Sequence, residues 1–296
     1  MTRMHYADYK TILSPNNGMN IYRGCTHGCI YCDSRSACYK MDHDFEDIEV
    51  KRDAPRILEE QLKKRRDKCI IGTGAMCDPY IHLEEELQIT RQCLSLIEKY
   101  GFGLSILTKS SRIMRDIDIL KAINKKTKCV VQITLTTFDE ELCKKLEPNV
   151  STTFERFQVL KAMNEAGIPT VVWLCPILPF INDTEENLRG LLDYCIEAKV
   201  SGILCFGFGV TLREGDREYF YRALDRLFPG MKERYIEYYG EAYSCHSPNN
   251  GWLTGIFREV CEEHNILYRT NEVFDYIRHF DTKGRQSSIF DHEAHE

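Results

Sequence analysis

The sequence predicts an α/β protein built on a parallel sheet. Two observations carry that reading. Between residues 50 and 230, short apolar runs alternate with amphipathic stretches of helical period. The expected boundary signals stand where that periodicity asks for them: Thr152 with Glu155 and Asp183 with Glu186 have capping-box spacing, and Gly101 and Gly167 fall just past helix ends. Strands that alternate with helices along a chain pair in parallel through right-handed crossovers.

Taken in order, a first strand at 19–23 (MNIYR) leads into a cysteine-rich loop. Further strands are expected at 69–74 (CIIGTG), 103–108 (GLSILT), 129–135 (CVVQITL), 169–175 (PTVVWLC) and 201–207 (SGILCFG). Helices are expected near 54–66, 84–100, 112–126, 152–166 and 184–198. Residues 1–18 precede the sheet. Residues 231–296 read as a helical C-terminal extension, with helices near 231–243, 252–264 and 271–280 and a frayed tail after Gly284. SPNNG occurs at 14–18 and again at 247–251, and both copies read as turns.

Of the 296 residues, 43% are hydrophobic and 28% charged, which excludes a disordered chain or a small disulfide scaffold. No apolar run approaches the roughly 18 residues of a membrane span, so no membrane partner is expected. The opening MTRMHYADYK lacks the apolar core of a secretion signal, and a cytoplasmic address follows as the expectation. The net charge of −6 gives no general affinity for nucleic acid. Two basic runs, Lys63 to Lys68 and Lys121 to Lys128, keep nucleic acid open as a partner, although each also suits a solvated helix C-terminus.

Fourteen cysteines are unusual for a chain in a reducing compartment. Most sit singly in apolar stretches and read as small core residues. Cys25, Cys29 and Cys32 do not: NIYRGCTHGCIYC is a CxxxCxxC spacing that this cysteine content would produce by chance about 0.03 times. Gly24 and Gly28 let the backbone curl tightly enough to aim three thiolates at one point. A closed structural zinc site needs four ligands. Cys38, the nearest candidate for a fourth, lies six residues on in a segment that reads as helical. An iron–sulfur cluster with three thiolate ligands and one open iron is the better account.

CxxxCxxC with an aromatic residue before the last cysteine, here Tyr31, resembles the radical S-adenosylmethionine superfamily. The resemblance implies a partial six-stranded βα barrel, a [4Fe-4S] cluster held by Cys25, Cys29 and Cys32, and S-adenosylmethionine chelated at the open iron. It also implies an electron donor such as flavodoxin or ferredoxin. Barrel sites gather at the carboxyl ends of strands, and odd polar residues of this chain stand there. They are Thr73, Gly74 and Asp78 after the second strand, Lys109 and Ser110 after the third, Thr134 and Thr136 on the fourth, and Pro176 and Asn182 after the fifth. By the resemblance these residues bind S-adenosylmethionine, with Tyr31 against its adenine. Read singly, each is also an ordinary turn or strand residue.

CDPY, LTKSSRIMRDIDIL, TFDEELCKKLEP and AGIP narrow the likeness to the spore photoproduct lyase-like, or DNA repair photolyase-like, branch over roughly residues 16–210. That branch implies abstraction of hydrogen from a nucleic-acid lesion and return of hydrogen from a thiol. The donor thiol would align with Ala75, whereas this chain offers Cys77 two residues later. Cys77 is the candidate donor, beside the plainer reading of a partly buried loop thiol. A tRNA base, a peptide or a small molecule is the alternative substrate. A non-enzymatic iron–sulfur redox or sensor protein is the alternative of another class. His246 beside Cys245 is not expected to form a metal pair, because adjacent side chains on a helix diverge. The extension is expected to close the open side of the barrel.

Overall fold

A computed structural model describes residues 3–280. The chain opens with β1 (Met4–Ala7), β2 (Gly18–Met19) and β3 (Tyr22–Arg23), and the cysteine loop then leads to β4 (Ile48–Lys51). There follow α1 (Ala54–Lys64), β5 (Ile70–Thr73), α2 (Glu84–Leu87), α3 (Ile89–Lys99) and β6 (Gly103–Thr108). Next come α4 (Ile117–Lys126), β7 (Cys129–Thr134), α5 (Glu140–Leu146), α6 (Thr153–Glu165), β8 (Thr170–Trp173), α7 (Glu185–Glu197) and β9 (Gly202–Leu204). The C-terminal part holds β10 (Gly209–Thr211), α8 (Asp216–Leu227), α9 (Met231–Tyr239), β11 (Ser244–His246), α10 (Asn250–Glu263) and α11 (Thr270–Arg278).

The central sheet has six parallel strands in the order β2-β5-β6-β7-β8-β9, an open partial barrel with β2 and β9 at its edges. Parallel strands are covered on both faces, which is why all six residues of CVVQIT in β7 are buried. Gln132 among them is satisfied across the sheet: it donates to Ser105 Oγ at 2.5 Å and accepts from Trp173 Nε1 at 2.7 Å. Leu58 of α1, Leu94 of α3, Leu120 of α4, Leu160 of α6 and Leu191 of α7 bury the helix faces in the main core. In a second core, Ile30 and Tyr31 of the cysteine loop pack with Leu146, Phe220 and Tyr235. Helices α5, α8 and α9 therefore press on the loop. No helix among the described residues is long and apolar enough to cross a membrane.

The structure departs from the sequence reading in several places. MNIYR divides into β2, in the central sheet, and β3, which pairs antiparallel with β4 in a separate sheet ordered β1-β4-β3. The helix over 84–100 breaks at Gln88, whose φ is 48°. The helix over 112–126 starts as a 3-10 turn, Ser111–Asp116. Thr152 and Glu155 do form a capping box. At α7, however, Thr184 is the cap and accepts from Asn187 N at 3.2 Å, while Asp183 accepts from Ser247 Oγ at 2.5 Å. A distant hydroxyl out-competes the local helix end for that carboxylate. The first SPNNG is a turn, with Ser14 Oγ accepting from Gly18 N at 2.9 Å, but the second runs into the start of α10. Cys245 and His246 lie on strand β11 rather than on a helix; Cys245 is buried and His246 faces the cavity described below. The tail after Gly284 lies outside the described residues.

Candidate active site

The cysteine loop takes its shape from what surrounds it. Gly24 has φ 83°, and a side chain there would collide with the carbonyl oxygen of Phe45, which accepts from Cys25 N at 3.0 Å. Behind the loop, the chain after α5 holds it by three bonds. Ile30 N donates to Leu146 O at 3.0 Å, Asn149 N to His27 O at 3.1 Å, and Asn149 Nδ2 to Thr26 O at 3.0 Å. The Tyr31 hydroxyl donates to Glu147, and Arg156 donates to the other oxygen of the same carboxylate. Arg156 also reaches Thr134 O at 2.7 Å. Both charges of this pair are fully buried. Each is hydrogen-bonded as well as paired, the condition under which buried charge is tolerated.

Cys25, Cys29 and Cys32 open onto one cavity of about 470 Å³ at the carboxyl ends of the parallel strands. Its floor is the strand-end region of β5 and β6. Gly74, with φ 101°, comes so close to Leu107 O that no side chain fits between them. Asp78 locks the two ends together, accepting from Tyr80 N at 2.8 Å, Thr108 Oγ1 at 2.7 Å and Lys109 N at 2.8 Å. His27 Nδ1 lies 3.5 Å from the same carboxylate. Burial opposes the charge on Lys109, but Cys29 and Glu147 outweigh it and push the ammonium up to about 12. Lys109 is therefore a cation over the whole physiological range, with its Nζ 5.8 Å from the centre of the Tyr31 ring.

The thiols differ among themselves. Burial pushes Cys29 and Cys32 above the ordinary thiol range. A hydrogen bond with Cys77 holds Cys25 well below it, and His27 acts in the same direction. The Cys77 thiol also approaches Gly24 O, at 2.7 Å.

Ten of the sequence-derived residues line the cavity: the three loop cysteines with Tyr31, Gly74, Cys77, Asp78, Lys109, Thr134 and Pro176. Four do not. Thr73 is buried within β5. Ser110 caps the turn that follows β6, accepting from Arg112 N at 3.3 Å. Thr136 shares a hydrogen bond with Thr137. Asn182 accepts from Leu178 N at 2.6 Å and donates to Thr136 O at 2.9 Å. The cavity also takes in residues that the sequence reading did not assign to it: His27, Cys175 and Phe206, and Arg213, Tyr243 and His246 from the C-terminal part, of which His246 was weighed only as a metal partner of Cys245. Of these, only His27, inside the cysteine motif, and Cys175, at a strand end, carried a signal. Cys38 is exposed on a 3-10 turn, with Arg213 Nη1 3.3 Å from its sulfur.

The family model described as the radical SAM superfamily matches residues 19–193, the stretch that carries the three cysteines and the first five strands of the sheet. The chain belongs to the radical SAM superfamily. The superfamily works with a [4Fe-4S] cluster and S-adenosylmethionine. The chain is 30% identical over 229 residues to an uncharacterised protein of Mycobacterium tuberculosis, covering 75% of this chain and 66% of that one. It is 32% identical over 169 residues to an uncharacterised protein of Methanocaldococcus jannaschii, covering 56% and 62%. The chain thus spans just under two thirds of the length of these relatives. Among solved structures, it resembles a spore photoproduct lyase complexed with a dinucleoside spore photoproduct (TM-score 0.61, 14% identity, 90% of this chain and 81% of that one). A mutant lyase with bound AdoMet and the same dinucleoside gives a TM-score of 0.59 at 15% identity, over 84% and 74%. At these identities the likeness is one of fold.

The residues of this radical SAM chain fit the superfamily's cofactors. Three cysteine thiols of one loop face the same cavity, the donor set of an iron–sulfur cluster with one iron left to a further ligand. His27 Nε2, at the cavity wall, is buried with no hydrogen-bond partner among the described residues. The volume suits a cofactor-sized ligand.

Proposed function

We propose that this protein is a radical enzyme that cleaves S-adenosylmethionine reductively and takes hydrogen from a substrate held toward β10 and β11, with a nucleic-acid lesion as the substrate class. The observation that carries the proposal is convergence: three thiols, a glycine-walled strand end and one ammonium group face a single cavity. Cys25, Cys29 and Cys32 would hold a cluster that, reduced by an external electron donor, would supply the one electron for cleavage of a carbon–sulfur bond of S-adenosylmethionine into methionine and a 5′-deoxyadenosyl radical.

The protein's own groups would divide the remaining work. The Lys109 ammonium meets the carboxylate of S-adenosylmethionine, and the backbone at Gly74 meets its amino group. Thr134 and Pro176 border the ribose and adenine. Tyr31, fixed through its hydroxyl to Glu147, offers a rigid ring face. Asp78, Thr73, Ser110, Thr136 and Asn182 hold the strand ends on which those groups stand. Cys77 and Cys175 are the cavity thiols left over once the cluster is assigned, and the hydrogen donor is taken from this pair.

What favours nucleic acid is the outer wall. Phe206 is 51% exposed and Tyr243 is 48% exposed, and both line the cavity with Arg213, which lies over the Tyr243 ring and is 3.5 Å from Asp33 Oδ1. Aromatic faces with a nearby cation suit an unstacked base and its phosphate. The test is fluorescence anisotropy with a thymine-rich oligonucleotide carrying the spore photoproduct. One phosphate contact, at Arg213, should weaken binding about threefold between 50 and 200 mM salt. No binding at low salt would exclude the nucleic-acid reading and leave a peptide or small molecule.

A further inference from the structure

Away from the cysteine cavity, the small sheet β1-β4-β3 carries a second constellation. Strands β1 and β4 run parallel in a register that sets His5 beside Glu49 on one face. The loop before β4 brings the His43 ring edge-on to His5, with ring centres 4.8 Å apart. One donor atom from each of His5, His43 and Glu49 lies within 4.8 Å of the other two.

The remaining atoms of these three side chains are occupied in a way that leaves the donors bare. His5 Nδ1 lies 3.3 Å from Asp47 Oδ1, and His43 Nδ1 lies 3.1 Å from the carbonyl oxygen of Asp44. Those oxygens can only accept, so in each neutral ring the proton belongs on Nδ1 and the lone pair on Nε2. His5 Nε2 is 3.9 Å from Glu49 Oε2. His43 Nε2 is buried and has no hydrogen-bond partner among the described residues. Glu49 Oε1 accepts from the Tyr9 hydroxyl at 2.6 Å, with Arg23 Nη1 at 3.9 Å, so Oε2 is the oxygen left to a ligand. Imidazoles whose second nitrogen donates to an oxygen, next to a carboxylate fixed through its other oxygen, are what a transition-metal site requires.

We infer that His5 Nε2, His43 Nε2 and Glu49 Oε2 form a binding site for a divalent ion of the zinc class, with Asp47 positioning His5. Two imidazoles and one carboxylate are a zinc-type donor set. Ligation at about 2.0–2.1 Å sets donors roughly 3.3 Å apart, within reach of side-chain rotation from the positions seen. The ion would tie the N-terminal strand to the loop that carries Phe45, and the Phe45 carbonyl receives the Cys25 N–H. It would thereby brace the cysteine loop from outside.

The test is a titration of cluster-loaded, full-length protein with Zn²⁺ after dialysis against a chelator. The expected result is one zinc per chain beyond the iron, with a rise in melting temperature. His43→Asn and His5→Asn should each lower the zinc content to below about a tenth, and Asp47→Asn should weaken binding about tenfold or more. Each variant should melt with the wild type in chelator. Should one variant fail to fold, the other decides. Absence of zinc binding by the wild type overturns the site. So does zinc content that both histidine variants retain.

Discussion

Behind the cysteine loop and the β5–β6 ends the polar groups are tied into the interior, whereas the cavity lining from the C-terminal part is open to solvent. Glu147, Arg156 and Asp78 have every charge paired or hydrogen-bonded. Phe206 and Tyr243, by contrast, stand about half exposed, and the guanidinium of Arg213 donates to the Tyr243 hydroxyl at 2.7 Å. A preorganised wall suits a cofactor that is the same in every turnover. A looser wall suits the part of the site that has to admit and release substrate. The proposed function accordingly puts the cofactors at the strand ends and substrate choice in the C-terminal part.

The sharpest way to break that comparison is at the cysteines. Alanine at Cys25, Cys29 or Cys32 should abolish cluster assembly, read as iron and sulfide content after anaerobic reconstitution. Alanine at the exposed Cys38 should leave both unchanged. The next largest effect is expected at Glu147→Ala, which strands the Arg156 charge in the interior and should cost about 3–5 kcal/mol in denaturant unfolding. On the outer wall, Arg213→Ala should change stability by less than about 0.5 kcal/mol. Its iron content should match that of the wild type, while oligonucleotide affinity falls.

An effect confined by pH is expected at the start of α8. Burial raises the Asp216 carboxyl from its ordinary 3.8 to about 6, and its Oδ2 has no hydrogen-bond partner among the described residues. A carboxyl raised on folding contributes stability that is fully present below about pH 4 and is lost as pH climbs through 6. Asp216→Asn should therefore stabilise the protein by on the order of 1 kcal/mol above pH 7. The gain should vanish below pH 4, as read from thermal melts across that range.

The cofactor wall was legible in the sequence because its signals are local. CxxxCxxC is contiguous, and strands β5 to β9 announce themselves by apolar runs of the right length. What the sequence concealed is pairing over distance. Tyr31 bonds Glu147 across 116 positions, so nothing local to the run TFDEELCKKLEP shows that its last glutamate anchors the cysteine loop. CDPY and MRDIDIL likewise turn out to meet each other, with the Tyr80 hydroxyl donating to Asp116 at 3.1 Å. Strands β1, β4, β10 and β11 are each three or four residues long, too short to show a period. Arg213 and Tyr243 reach the cavity only because β10 and β11 pair, and nothing near either residue announces that.

The proposed function stands or falls on reductive chemistry on S-adenosylmethionine in the three-thiol cavity. The direct measurement is 5′-deoxyadenosine, quantified by mass spectrometry after dithionite reduction of anaerobically reconstituted protein with S-adenosylmethionine, with Cys32→Ala as control. Product should form with the wild type and not with the variant. Wild-type protein carrying its full iron and sulfide that neither binds S-adenosylmethionine nor yields 5′-deoxyadenosine would contradict it and point to an electron-transfer or sensor protein.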